Sequence, residues 1–537
     1  MFVLKTIIDK YTKNKKQLYS CFVDFRKAFD TVIHDAIYLK MLNCGMGGLF
    51  YKLLKNMYSK SMLAVKVGSE LTESFPSNIG VRQGDVLSPN LFKIFINDLP
   101  AYLDHSMDEI SLNNRRIDCL LYADDVVLLS TSATGLQNKL DLLETFCDEW
   151  CIDVNTSKTK VMVFNKPGRL IHTQLTFRGN KIESVRRYKY LGILFSLSGS
   201  FSEAKSDLYN KANKALFKLK ADLFSLRPGI KSSLHIYNHT IKAVLNYSSE
   251  LWGCYLPKSF KCDTLCDFSK IASLFPSEKM EIHFLKYILG VNKKASNFAI
   301  MSEVGKYPII FDSFKSVLNY WHRLENMPTN LLKDAYTELK LLHHTGIDTW
   351  YGSLLGMLKV LDIPVEGGSA AFNKHFIKHS LSEHLHNLFR NTWYRSRENL
   401  IREDGKLRTY LKIKTNFGYE KYLDILNDFF NRKSLTRFRI SNHKLKIELG
   451  RYTKPYTPLD QRICEKCDLN KIDDETHFFS DCSNFVKSRQ DLFNKIKQCN
   501  DNFDNLSSFN KLYWCCTCED PNIVRQLGLF LQECDVT

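Results

Sequence analysis

An α+β fold is predicted for the first two hundred residues, followed by a long helical region. Three observations predict it. The run Cys119 to Ser130 (CLLYADDVVLLS) reads as apolar strand, two adjacent carboxylates, apolar strand. Its flanks are β-formers with no Gly or Pro, which describes a buried hairpin with Asp124 and Asp125 at the tight turn. Further strand-like runs at Leu18 to Asp24, Val161 to Phe164 and Arg187 to Phe195 are interspersed with amphipathic helical patterns, which together give an antiparallel sheet with helices on one face. From Phe201 onward the helical period dominates.

Taken in order, residues 1–16 read as a helix with Leu4, Ile7, Ile8 and Tyr11 on one face. The strand ending at Asp24 is followed by a pattern that turns helical through Lys27, Ala28 and Phe29. Residues 30–59 read as two helices broken at Gly45-Met46-Gly47-Gly48, with Phe50, Leu53, Leu54 and Met57 at core spacing. Met62 to Ile79 is a β-hairpin turning near Gly68-Ser69. Gly80 to Pro89 is a loop opening a helix, with Ser88 as N-cap and Pro89 at the first helical position. Gly135 to Cys151 is an amphipathic helix with Leu136, Leu140, Leu143, Phe146 and Trp150 inward. Phe201 to Phe224 is a strong helix with lysines around an apolar stripe, ended by Arg227-Pro228-Gly229, and further helices lie near 231–247 and 279–289. Between 300 and 450 the pattern is largely helical, with Trp321, Trp350 and Trp393 as core anchors and a loop at Gly367-Gly368-Ser369.

Paired carboxylates in an apolar setting are unfavourable: desolvation and repulsion protonate one of them unless a cation sits there. With no His nearby, the simplest partner is a hard divalent ion such as Mg²⁺, which prefers oxygen ligands and shares them with phosphates. Such a site needs a further carboxylate, and Asp24, at the end of its strand, is placed to supply it. The chain's composition agrees with a polyanionic partner. Its 537 residues carry 75 Lys and Arg against 58 Asp and Glu, a net charge of +17. That surplus points most simply to nucleic acid, the blander reading being an aid to solubility. Met1-Phe2-Val3-Leu4-Lys5 becomes charged too quickly for a secretory leader, and no run of about 18 apolar residues exists to span a membrane. The expectation is an intracellular protein, nuclear or cytoplasmic and not secreted, whose sixteen cysteines are reduced thiols or metal ligands.

Near the C-terminus, Cys464 and Cys467 stand in a C-x₂-C turn, followed after nine residues by His477 and Cys482 in H-x₄-C. Two thiolates on one turn with a His and a Cys beyond can close a tetrahedral zinc site; the alternative is three reduced cysteines and a histidine in a small core. Cys515, Cys516 or Cys518 could substitute for one ligand. Two histidine groups, His343-His344 and His375, His379, His384 and His386, are read as surface or satisfied histidines, since no HExxH-type carboxylate accompanies them.

Three segments in order, Phe22 to Val32 (FVDFRKAFDTV), Gly80 to Phe92 (GVRQGDVLSPNLF) and Leu121 to Asp125 (LYADD), resemble the polymerase motifs of reverse transcriptases, specifically those of non-LTR (LINE-type) retrotransposons. Ile152 to Lys160 looks like the family's lysine motif, with Lys158 its best match and Lys160 second. Arg187 to Phe195 resembles the primer-grip hairpin, and Cys464 to Cys482, with Glu475-Thr476-His477-Phe478-Phe479, resembles the family's C-terminal zinc knuckle.

The resemblance implies a polymerase palm over residues 1–200, a helical thumb over 201–300, a helical C-terminal region over 301–450 and a zinc-knuckle module over 451–537. It implies RNA-directed DNA polymerisation with RNA template, DNA primer and deoxynucleoside triphosphates, two Mg²⁺ held by Asp24, Asp124 and Asp125, and one structural Zn²⁺. Lys158 would protonate the leaving pyrophosphate, Arg82, Gln83 and Gly84 would contact template or nucleotide, and Phe29 would gate the sugar edge. Family members carry a fingers region upstream, and commonly an endonuclease; neither is recognised in this sequence, so the expectation is that they are missing or act in trans. Two other readings stand beside this one: a catalytically inactive nucleic-acid-binding remnant, and a metal-dependent nuclease.

Overall fold

The computed structural model describes residues 1–103, 108–363, 380–402 and 404–535. It divides into two compact units, one formed by 1–207 with 323–352, the other by 208–322 with 353–537. The fold is α+β. No helix among the described residues is long and apolar enough to cross a membrane.

The first unit is built on a five-stranded sheet. Its strands are β1 (Leu18–Asp24), β2 (Cys119–Tyr122), β3 (Asp125–Ser130), β4 (Lys160–Phe164) and β5 (Glu183–Ser184). They stand in the order β5-β4-β1-β3-β2, antiparallel except for the β4–β5 pair. Side chains alternate between faces along a strand. Cys21 and Val23 of β1, with Val126, Leu128, Val161 and Val163, join a core completed by Leu136, Leu140, Leu143 and Phe146 of helix α5 (Ala133–Trp150). Ser132 caps that helix by accepting the Gly135 N–H. The opposite face carries Ser20, Phe22 and Asp24. Here Phe22 stacks on Tyr188 at 4.3 Å. Tyr188 belongs to the hairpin β6 (Arg187–Tyr190) and β7 (Ile193–Ser196). Helix α1 (Phe2–Lys13) buries Leu4, Ile7 and Ile8 and packs on the helix Leu331–His344. The Lys10 ammonium, 2.9 Å from Glu338, fastens the two together.

Several local expectations give way to long-range contacts. Lys27 to Phe29 form turns rather than helix: Lys27 has φ +48°, the Arg26 N–H goes to the Asp153 carbonyl and the Val81 N–H to the Phe29 carbonyl, so the segment's backbone is committed elsewhere. Helices α2 (His34–Asn43) and α3 (Gly48–Ser59) break where glycine places them, but only Leu54 of the expected core set is buried. Phe50, Leu53 and Met57 are about half exposed, because Tyr58 instead turns inward with Leu54. The hairpin over 62–76 forms with its turn at Gly68-Ser69. Helix α4 (Ser88–Ile96) begins beyond Leu87, and Ser88 is not its cap. The Ser88 hydroxyl donates to the Arg82 carbonyl, and Asp85 accepts the Leu87 N–H.

The second unit is largely helical. It contains α6, whose residues 208–226 belong here (whole helix Ser202–Leu226), α7 (Pro276–Ile288), the helix Leu381–Leu400 and α8 (Phe429–Arg439). Trp393 is fully buried, stacked on Phe298 at 5.5 Å, its indole N–H donating to Ser302. His384 bonds the Leu361 carbonyl and His386 stacks on Tyr307. Gly367 to Ser369, His375 and His379 lie outside the described residues.

Candidate active site and metal centre

The register of the sheet assembles the carboxylates. Asp24, the last residue of β1, lies directly across from Asp125, the first of β3. The two side chains therefore share one face, the face opposite the α5 core. Asp124 sits in the two-residue connection between Tyr122 and Asp125, where Ala123 takes the left-handed region at φ +52°. This conformation is strained for a residue with a Cβ and keeps the turn tight. Burial, then Asp124, then Asp24 push the Asp125 carboxyl above its usual range. Three carboxylates converging on a half-buried spot form a set that a divalent cation would relieve.

Asp24 is fixed from behind. Its N–H donates to the Thr159 hydroxyl at 3.1 Å, and its carbonyl accepts the Asn155 N–H. The 153–159 segment that provides these bonds also delivers Lys158, whose ammonium stands 3.9 Å from the Asp24 carboxylate. Lys160 is turned away, paired with Glu183 at 2.8 Å.

In the loop before α4, the Arg82 guanidinium donates to the Ser61 hydroxyl and the Gln83 amide to Asp30. Gly84 has φ +85°, a conformation that favours glycine. Phe29 is half-buried, its ring 5.0 Å from that of Phe92. The structure thus brings Asp24, Asp124, Asp125 and Lys158 together, and ties Arg82 and Gln83 to neighbouring side chains.

Tyr188 was not anticipated as a site residue. Burial, then Asp125 and Asp24, push its hydroxyl up to about 12, so its ring and hydroxyl border the carboxylates and stay neutral. The alternation of Tyr188 with Tyr190 in the hairpin was the available signal. A second such residue is Lys139, which stands inside the apolar stripe of α5. It is fully buried and donates to Asp118 at 2.7 Å and to the Leu129 carbonyl at 2.6 Å, anchoring α5 to the strand that leads out of the carboxylate turn.

Far along the sequence, Cys464, Cys467, His477 and Cys482 converge, their ligand atoms all within 4.8 Å of one another. The Cys464 and Cys482 sulfurs are 3.9 Å apart, and the Cys467 sulfur is 3.3 Å from His477 Nε2. Tetrahedral zinc with Zn–S about 2.3 Å and Zn–N about 2.0 Å separates its ligands by roughly 3.5–3.8 Å. Cys515, Cys516 and Cys518 are not in the group.

A sheet carrying three carboxylates beside a lysine, with a helical core behind and a hairpin across its front, is a polymerase-type palm. Residues 3–195 match the family described as reverse transcriptase (RNA-dependent DNA polymerase). The match covers 193 of the 537 residues. The chain is similar to a probable RNA-directed DNA polymerase from transposon BS of Drosophila melanogaster, 26% identical over 248 residues, 45% of this chain and 27% of that protein. It is also similar to a retrovirus-related Pol polyprotein from the type-2 retrotransposable element R2DM of the same species, 29% identical over 238 residues, 41% of this chain and 22% of that protein. The matches thus span about a quarter of these relatives. Among solved structures, a telomerase from Candida tropicalis in complex with a fragment of telomeric RNA aligns with 62% of this chain and 51% of its own, at 15% identity and a TM-score of 0.29.

Proposed function

We propose that the chain is an RNA-directed DNA polymerase that extends a DNA primer on an RNA template by nucleotidyl transfer. The observation that carries the reading is the Asp24–Asp125 register with Asp124 at the adjoining turn. Two Mg²⁺ ions bound there would make the primer 3′-hydroxyl easier to deprotonate and would neutralise charge developing on the phosphates. Asp24, Asp124 and Asp125 would hold the cations and orient the reacting oxygens. The primer 3′-oxygen forms a bond to the α-phosphorus while the bond to pyrophosphate breaks. Lys158 gives a proton to the departing pyrophosphate, and the 3′-hydroxyl proton passes to solvent. Phe29 closes the sugar edge of the nucleotide pocket against a 2′-hydroxyl, and Arg82, Gln83 and Gly84 line the template and nucleotide side. The cysteine and histidine group would hold one structural Zn²⁺, its spacing being the support for that part.

Cation binding tests the site separately from turnover. Mn²⁺ titrated into the protein with template–primer and a non-hydrolysable deoxynucleotide, followed by electron paramagnetic resonance, should show two bound ions. Asp124→Asn with Asp125→Asn should lose them. Unchanged Mn²⁺ binding in that variant would remove the reading.

A further inference from the structure

The second unit holds a cavity of about 300 Å³ between the end of α6, the end of α7 and the start of α8. That volume is at the small end of ligand cavities. Leu223, Ile288 and Val291 give it apolar walls. Gly290 ends α7 at φ +67°, and a Cβ there would stand 3.1 Å from Phe429, so glycine lets that ring close against the wall. At the rim Phe224 is 69% exposed. Phe217, two turns earlier on the same face of α6, is equally exposed. Both lie among the lysines of that helix.

The charged residues that line the cavity, Arg227, Lys286 and Arg432, are all cationic. The Arg227 guanidinium stands 5.9 Å from the Phe224 ring, 5.9 Å from Phe429 and 5.4 Å from Phe430, three aromatic planes about one cation. Among the described residues no carboxylate forms an ion pair with Arg227, Lys286 or Arg432; the latter two donate to the Lys293 and Leu426 carbonyls. Burial pushes the Lys286 amine and the Arg432 guanidinium down, and Lys406 adds to the effect at Lys286. Burial also pushes His283 down, together with Lys279, Lys286, Lys220 and Lys293. An apolar slot flanked by aromatic rings and by cations held in no ion pair among the described residues suits a ligand with a flat apolar body and anionic ends. A duplex keeps its bases stacked inside and cannot fill such a slot, and an acidic peptide has the charge without the plane.

We propose that this cavity takes one unstacked base of a single-stranded polynucleotide, with its flanking phosphates on Arg227 and Lys286. The site lies wholly within the second unit and does not depend on nucleotidyl transfer. The test is fluorescence-anisotropy binding of labelled twelve-nucleotide single-stranded RNA, single-stranded DNA and duplex DNA to the full chain, without nucleotide or Mg²⁺, over a range of salt. Phe224→Ala should weaken single-strand binding by about tenfold with an unchanged salt slope, since it removes stacking alone. Arg227→Ala should weaken binding and flatten the slope by about 0.7, one phosphate's share for a single strand. The strand type losing more affinity identifies the polynucleotide. Duplex binding should be indifferent to Phe224→Ala. An Asp124→Asn protein should bind like the parent, so a failed polymerase reading leaves this result standing. Both variants binding single strands like the parent, an equal loss on duplex, or displacement of the strand by a poly-glutamate peptide at equal charge concentration would overturn the proposal.

Discussion

Replacing Arg439 with methionine should be among the most damaging changes available in the second unit. The guanidinium is almost fully buried and meets Glu303, itself fully buried, through two hydrogen bonds of 3.1 Å. It donates further to Glu420 at 2.8 Å and to the Cys516 carbonyl, and it lies 5.0 Å from the Tyr422 ring. After Arg439→Met, Glu420 keeps Lys414, but Glu303 keeps only the Tyr422 hydroxyl at 2.7 Å. Removing one partner of a buried pair costs about 3–5 kcal/mol, because the other charge is left uncompensated. For a unit of this size about 2 °C is lost per kcal/mol, so the melting temperature should fall by roughly 6–10 °C. Adding Glu303→Gln removes the stranded charge while leaving an acceptor for Tyr422, and should recover more than half of the loss. Differential scanning calorimetry of the parent, the single and the double variant reads this directly. A fall under about 2 °C, or a double variant no more stable than the single, would refute the argument.

Three more predictions concern pH, metal and substrate. Glu278 is fully buried, and burial together with Glu281 pushes its carboxyl up to about 8. A folded pKa above the unfolded one stabilises fully below pH about 4.5 and is lost as pH rises through about 8. The second unit should therefore melt at lower temperature as pH climbs across that window, and Glu278→Gln should flatten the curve; an unchanged curve would contradict it. Purified protein should carry one zinc by atomic absorption, and a strong chelator should remove it with loss of helical circular dichroism, since such binding is coupled to folding; zinc-free protein with the same spectrum and melting would contradict a structural metal. Phe29→Ala should raise ribonucleotide incorporation relative to deoxynucleotide by about tenfold or more, and unchanged discrimination would take the gate from Phe29.

The grouping of the carboxylates was legible because it is written locally: Asp24 ends one apolar strand, Asp125 begins another and Asp124 stands in the turn just before it, so strand alternation sets the shared face of Asp24 and Asp125. The zinc spacing was legible for the same reason. Other features answer to partners distant in the chain. Lys27 to Phe29 carry a helical pattern, yet the backbone of Phe29 is claimed by Val81 and that of the preceding Arg26 by Asp153. Phe50, Leu53 and Met57 have core spacing but are half exposed, since periodicity says that a face exists and not what covers it. Residues 323–352 belong with the first unit through the packing of α1 on Leu331–His344, which no periodicity could announce. The Arg439–Glu303 pair joins residues 136 apart, in a stretch whose pattern reads only as largely helical.

Templated primer extension tests the central claim most directly. The 537-residue chain is given Mg²⁺, a DNA primer annealed to RNA templates differing in the first unpaired base, and each deoxynucleotide in turn. Each template should direct addition of its complementary nucleotide, with pyrophosphate released one for one and no addition by Asp124→Asn with Asp125→Asn. Extension that ignores the template base, extension that survives the double substitution, or primer degradation in place of growth would contradict it.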